Sequence, residues 1–336
     1  MVEDLDTFVL RTVVNWHNSR LEVLLVTVAR TWGSAPRQPG SLMAINERGE
    51  IAGSISGGCL EDDLIQKVRD AGVITLCVGP APAFLRYGIS AEEAHRYGLP
   101  CGGTIELVVE RITLKSHIDE LLQACLERRS IERMLDLRTG HATLYPSARQ
   151  VMPRITDTHF SCWFGPQARL ILIGAGDLSR YVCQIALSLG FDVVVCDPRE
   201  EYYMSWSLDT IQVSREMPDD LIQKLCPDSR TAVVTLTHDP KLDDLALIDA
   251  LATQAFYIGA IGSRRNNAQR RSRLRAYFGL TDIQLQALHG PAGLYIGSKT
   301  PAEIALSIMA EVVAAKNGVL TSSTMSVAQG KAATES

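Results

Sequence analysis

The segment Leu170-Ile-Leu-Ile-Gly174-Ala-Gly176-Asp-Leu-Ser179 constrains the fold more than any other stretch of the chain. Its uninterrupted apolar run reads as a strand buried on both faces, and the Gly-x-Gly turn leads directly into residues with helical spacing. Gly174 permits a tight turn, and Gly176 leaves the backbone open to a phosphate at a helix start. From Arg169 onward strands and helices alternate: RLILIGAG, a helix, FDVVVCD, TAVVTLTHD, a helix, FYIGAIGS and another helix. Parallel neighbours need right-handed crossovers, so this order predicts a parallel sheet covered on both faces, a Rossmann-like domain over residues 167–317. Asp197 closes the second strand, where such domains bind a ribose hydroxyl. Ser179 replaces the third glycine of G-x-G-x-x-G, and Asp177 puts a negative charge where pyrophosphate would gain from the helix dipole. Gly174, Gly176 and Asp197 are candidate nucleotide-binding residues; the alternative is a turn that merely packs a strand against a helix.

A chain of 336 residues exceeds what one core usually fills, so a further domain precedes this one. The opening MVEDLDTFVLRTVVNW reads as a helix, residues 21–29 as a strand, and residues 31–40 as a turn-rich loop. Residues 41–46, 73–78 and 104–110 read as further strands. Leu60, Leu64, Ile65 and Val68 recur at helical spacing and mark an amphipathic helix over residues 59–71. The expectation is a small mixed α/β domain over residues 1–115. Residues 116–166 hold one helix, two short strand candidates and an irregular stretch from 146 to 166, and read as a connection. Residues 318–336, rich in Ser, Thr, Ala and Gly, read as a disordered tail.

A formal charge of −5 and a pI near 5.8 give no broad positive field, which argues against nucleic acid or an anionic membrane as partner. The acidic start lacks the basic flank of a secretory signal, and no uncharged apolar run is long enough to span a bilayer. The eight cysteines stand singly, without zinc-type spacing or the density of a disulfide scaffold, so a reducing cytoplasm is expected.

Two of those cysteines lie among glycines. Cys59 follows Gly57 and Gly58 in Gly53-Ser-Ile-Ser-Gly-Gly-Cys-Leu-Glu61, and Cys101 stands in Gly98-Leu-Pro-Cys-Gly-Gly-Thr104. A helix N-terminus favours the thiolate that binds soft metals or attacks sulfur, and bare glycines leave room for a bulky ligand. Glu61 and Asp62 oppose this by repelling negative charge. The plainer reading of either cysteine is a small buried hydrophobe, as for the other six. Arg37 in the 31–40 loop is a candidate anion contact. Ser263 and Arg264, at a strand end before a helix, form a candidate phosphate receiver, against which the arginine-rich sequence that follows reads as a solvated helix face.

Taken together, TWGSAPRQPG, GSISGGCLED, LPCGGTIEL, LILIGAGD, THDP, YIGAIGSRR and GPAGLYIGSKTPAEIALSIMAEVVA resemble the XdhC/CoxI-type accessory factors of xanthine dehydrogenase and related molybdenum hydroxylases. The resemblance spans nearly the whole chain. It implies a non-catalytic cytoplasmic chaperone that binds molybdenum cofactor, as molybdopterin or its cytosine dinucleotide form, supports its sulfuration and inserts it into the apo-hydroxylase. A cysteine desulfurase, a cofactor nucleotidyltransferase and a second copy of the chain are the further partners it implies. Cys59 and Cys101 match the family's glycine-flanked cysteines and would contact the molybdenum or its transferable sulfur. The family often has histidine after its glycine turn, where this chain has Asp177, so a role for that histidine does not carry over. The rival expectations are an NAD(P)-dependent oxidoreductase, for which no substrate-activating dyad is visible, and a thiol redox sensor using Cys59 and Cys101.

Overall fold

The structure, a computed structural model, describes residues 4–33, 37–88, 103–147, 151–319, 322, 325–327 and 329, with Cys59 described by its backbone. The chain divides into two compact units, Glu3–Pro166 and Gln167–Ser336. Among the described residues no helix is long and apolar enough to cross a membrane.

In the first unit, helix α1 (Leu5–Asn18) starts where the Asp4 carboxylate accepts from the Asp6 and Thr7 amides, and it buries Val9, Leu10 and Val13. Strands β1 (Val23–Trp32), β2 (Leu42–Asn46) and β3 (Ile51–Gly53) follow, then α2 (Cys59–Ala71), β4 (Ala83–Tyr87) and β5 (Thr104–Arg111). They form an antiparallel sheet in the order β3-β2-β1-β5-β4. Strand β1 is buried from Val23 to Ala29, where every residue but Thr27 is apolar, because both faces of that stretch are covered. Val23, Leu25 and Ala29 share a core with α1, while Leu24, Val26 and Val28 meet Leu60, Leu64 and Val68 of α2.

Residues 73–78, read as a strand, form instead a short 3₁₀ turn (Val73–Thr75) ending in an exposed Val78. Gly72 and Gly79, both at positive φ, bracket the run and turn the chain at each end, and the strand comes later as β4. Residues 116–166 are more ordered than a connection. Helix α3 (Ile118–Leu126) precedes β6 (Ile131–Asp136), β7 (Ala142–Pro146), β8 (Arg154–Ile155) and β9 (His159–Phe164), an antiparallel sheet ordered β7-β6-β9-β8. Ile131, Leu135, Phe160 and Phe164 join the core of α1. The pattern was obscured because Arg133 occupies a core-facing position in β6, where its guanidinium binds Glu110 of β5 through two 2.7 Å hydrogen bonds. Both side chains are buried.

The second unit contains β10 (Arg169–Ile173), α4 (Asp177–Ser188), β11 (Asp192–Cys196), α5 (Glu200–Met204), β12 (Val213–Ser214), α6 (Pro218–Leu225) and β13 (Thr231–Thr235). It continues with α7 (Pro240–Leu251), β14 (Tyr257–Ala260), α8 (Arg264–Phe278), α9 (Asp282–Gln286), β15 (Leu288–His289) and α10 (Pro301–Lys316). The sheet is parallel, ordered β12-β11-β10-β13-β14-β15, the strand order of a dinucleotide-binding Rossmann domain. Leu170 and Leu172 pack toward α4 and α10; Ile171 and Ile173 pack toward α6, α7, α8 and α9. Glu311 ties α10 to the sheet by accepting from the Tyr257 hydroxyl (2.6 Å) and the Gly293 amide (2.6 Å).

Part of the segment read as a disordered tail is held in place. Ser326 makes an antiparallel bridge with Leu294, and the Tyr295 amide donates to the Met325 carbonyl at 2.6 Å. Backbone hydrogen bonds do here what apolar content does not. The remainder of that expectation falls largely outside the described residues.

Candidate functional site

In the first unit, strand register gathers three of the sequence motifs at one end of the five-stranded sheet. Trp32 pairs with Thr104 and Tyr87 with Ile105, so the loop after β1 begins beside the residues that follow Cys101 in sequence. The Gly40 amide donates to Val28 (2.7 Å) and the Ser54 amide to Leu42 (3.0 Å), which brings the far side of the 31–40 loop and the start of the Gly57-Gly58-Cys59 loop to the same end. The Tyr87 hydroxyl donates to Asp63 of α2 at 2.8 Å, fastening that helix to the end of β4. Arg37 is half-buried within the described part of the loop. Cys101 lies outside the described residues.

The loop ahead of Cys59 is organised around one carboxylate. Glu61 accepts from the amides of Ile55 (2.8 Å), Ser56 (2.9 Å), Gly57 (3.1 Å) and Gly58 (2.9 Å). It also accepts from the hydroxyls of Ser54 (2.8 Å) and Ser56. Burial by itself raises a carboxyl pKa; the Ser56 and Ser54 hydrogen bonds outweigh it and hold Glu61 at about 2. Glu61 therefore does more than repel anions: it fills the concave array of N–H groups that would otherwise receive one. Cys59 begins α2 immediately after this clamp, with Gly58 at the N-cap. Gly57 and Gly58 have φ of +90° and +147°, and a Cβ on either would meet nothing within 4 Å. The glycines leave open space, as the sequence suggested, although their amides are already engaged. Among the described residues no group of three or more His, Cys, Asp or Glu side chains is placed to hold a metal ion.

Of the six cysteines read as core, five are buried. Burial pushes the thiols of Cys125, Cys162, Cys183 and Cys196 up to about 12 and raises that of Cys77, leaving them inert. Cys226 is exposed instead, because it closes α6 in the left-handed conformation at φ 44°. A cavity of about 880 Å³ in this unit lies among His17, Glu22, Pro80, Arg111, Lys115 and Gly140, and no motif falls on it. Arg111 pairs with Leu24, at the opposite end of the sheet from Trp32 and Thr104.

In the second unit the order of strands reverses between β10 and β13, which opens a crevice at their C-terminal ends. A cavity of about 340 Å³ occurs there, lined among others by Gly176, Asp177, Arg199, Tyr202, Thr237 and His238. The two glycines differ in kind. Gly174 has φ +112°, and a Cβ would stand 3.1–3.3 Å from Thr237 and Leu236; Gly176 meets only Tyr202, at 3.9 Å. Gly174→Ala is therefore expected to cost about 2 kcal/mol in a denaturant melt, whereas Gly176→Ala should leave stability within about 0.5 kcal/mol. Equal losses would show that the fold of the turn needs glycine at both positions.

Asp197 is fully buried and does not face the crevice as a free acceptor. Its carboxylate takes the Ala175 amide (2.8 Å), the Arg199 amide (3.1 Å) and the Arg199 guanidinium through Nε (2.9 Å) and Nη2 (2.8 Å). The expected ribose contact is thus replaced by an internal one. The bond to Asp197 raises the pKa of Arg199, whose guanidinium lies 3.8 Å over the Tyr202 ring. Arg199 and Tyr202 were not singled out from sequence; an arginine two residues past a strand-ending aspartate was the available signal. Ser263 and Arg264 are not among the residues lining this cavity. The Ser263 hydroxyl accepts from the Asn266 amide as a helix cap. The arginines that follow do not form a merely solvated face: Arg270 is buried against Asp243 and Asp244, and Arg271 donates to the Leu285 and Leu288 carbonyls.

The profile of the XdhC Rossmann domain matches residues 170–312, and that of the XdhC and CoxI family matches residues 16–75. A Bacillus subtilis protein, named as one of the probable subunits of xanthine dehydrogenase, is 26% identical over 89% of this chain and 94% of its own. The Escherichia coli molybdenum cofactor insertion chaperone PaoD is 24% identical over 92% of this chain and 88% of its own. A Bacillus halodurans crystal structure described as a xanthine dehydrogenase shares the fold with a TM-score of 0.68, at 23% identity over 96% of this chain and 98% of that one.

Proposed function

Because the chain belongs to the XdhC and CoxI family of xanthine dehydrogenase accessory factors, we propose that it is a maturation factor that carries molybdenum cofactor to a xanthine dehydrogenase-type molybdenum hydroxylase. The observation that carries this reading is the gathering of the 31–40 loop, the start of α2 and the start of β5 at one end of one sheet. Glycines at positive φ give that end open space, and Cys59 begins a helix there, where a thiolate is favoured. The cargo is a molybdenum dithiolene on a pterin with a phosphate tail, so it suits a thiol at one end and a cation at the other. Arg37 stands in the same loop cluster as a candidate anion contact. In this reading Cys59 and Cys101 hold the metal or its transferable sulfur while a cysteine desulfurase acts. A nucleotidyltransferase supplies the cytosine dinucleotide form, and two copies of the chain associate.

The test is metal and pterin analysis of protein purified anaerobically from a host that makes the cofactor. Molybdenum and pterin are expected together in the unaltered protein, with loss of at least about 1.4 kcal/mol of binding, or tenfold occupancy at limiting cofactor, in Cys59→Ala or Cys101→Ala. Equal loading of all three proteins would remove the thiols from the site. A pterin-free unaltered protein would remove the carrier role itself.

A further inference from the structure

In the crevice of the second unit, the carboxylate that a ribose would need is already consumed by a cation that faces the ligand space. Asp197 receives two N–H groups of the Arg199 side chain and the Ala175 amide, so a ribose hydroxyl could donate to it only by displacing a bidentate charged pair. Arginine has five N–H donors; with Nε and one Nη2 hydrogen on Asp197, both Nη1 hydrogens and the second Nη2 hydrogen are left for a ligand. Stacking on Tyr202 at 3.8 Å fixes the plane of that fork. Tyr202 in turn stands 3.9 Å from where a Gly176 Cβ would be, which places the Arg199–Tyr202 pair beside the glycine turn in the lining of the crevice. The nearest acid on the turn, Asp177, is ion-paired with Arg180, and Asp239 accepts from the Lys241 amide as the cap of α7.

We propose that Arg199 makes this crevice a selective site for a phosphate monoester on a ring-bearing ligand. Such a group occurs as the 2′-phosphate of a dinucleotide and as the terminal phosphate of a pterin. A monoester offers three terminal oxygens and nearly two charges to the outward donors of the fork, whereas a diester offers two oxygens and one charge, and a hydroxyl none. An arginine near the end of the second strand is where a Rossmann crevice accommodates a 2′-phosphate. The inference stands on this unit alone and holds whether the ligand is cargo or a resident nucleotide.

Calorimetric titration of the full-length protein with two pairs of ligands tests it. The first pair is NADP⁺ against NAD⁺. The second is molybdopterin against its cytosine dinucleotide form, both released anaerobically from purified molybdoenzymes. Only the first member of each pair carries a monoester. One pair at least should show roughly tenfold tighter binding of the monoester, and the pair that does identifies the source. Arg199→Gln should reduce that preference to less than about twofold, and Arg199→Lys, which keeps the charge beside Asp197 but loses the fork, should retain an intermediate preference. Equal affinities within both pairs, absence of binding by all four ligands, or a preference that survives in Arg199→Gln would each overturn the assignment.

Discussion

Arg270→Ala is expected to destabilise the Gln167–Ser336 unit by about 4 kcal/mol. Arg270 is 6% exposed and stands between Asp243 and Asp244, which are 0% and 7% exposed. It donates to Asp243 at 2.9 Å, Asp244 at 3.2 Å, the Ile261 carbonyl at 3.0 Å and Asn267 at 2.9 Å. Alanine would leave buried acceptors without their donor. Asp243 is already raised by burial, with Thr237 and Arg270 pulling against it, so losing the arginine favours its protonation and slackens its hold on Thr237 (2.6 Å) at the crevice. Thermal unfolding should fall by roughly 8–16 °C. A fall under about 2 °C would mean that water reaches the site and replaces the guanidinium.

The second large effect is expected at Glu61. Glu61→Ala removes the common acceptor of four amides and two hydroxyls, at a cost of about 3 kcal/mol, moderated because Gly57 and Gly58 are exposed and can turn to water. Its pH dependence has a definite sign. The folded carboxyl is held at about 2, below its ordinary 4.5, so the stabilisation is complete above about 4.5 and is lost as pH falls toward about 2. Glu61→Gln should therefore be less stable than the unaltered protein at neutral pH and converge with it in acid. Denaturant melts of both proteins at pH values across that interval measure the convergence. A constant difference across it would show that the loop gains nothing from the negative charge. Because the clamp sets the first turn of α2, both variants are also expected to retain less cofactor than the unaltered protein.

How much of this was legible depended on whether the signal was local. The Rossmann half could be read because its core strands, such as Leu170-Ile-Leu-Ile, are apolar on both faces and end in Gly174-x-Gly176. The four-stranded sheet of residues 131–164 could not, because Arg133 occupies a core position and makes sense only beside Glu110, which is distant in sequence. Likewise Asp197 reads as a ribose acceptor from its place at a strand end. Its occupation by Arg199 depends on the rotamer that lets Nε and Nη2 of the guanidinium reach it.

The amino-acid order by itself determined the strand and helix alternation, the glycine turns, the cysteine positions and the family membership, because each is written in contiguous residues. Only the tertiary structure decided that Glu61 fills the loop before Cys59, that Arg270 is buried rather than solvated, and that Arg199 rather than Asp197 faces the crevice. Those outcomes turn on which of several available partners a charged side chain reaches once it leaves water, and that competition is settled by packing in three dimensions.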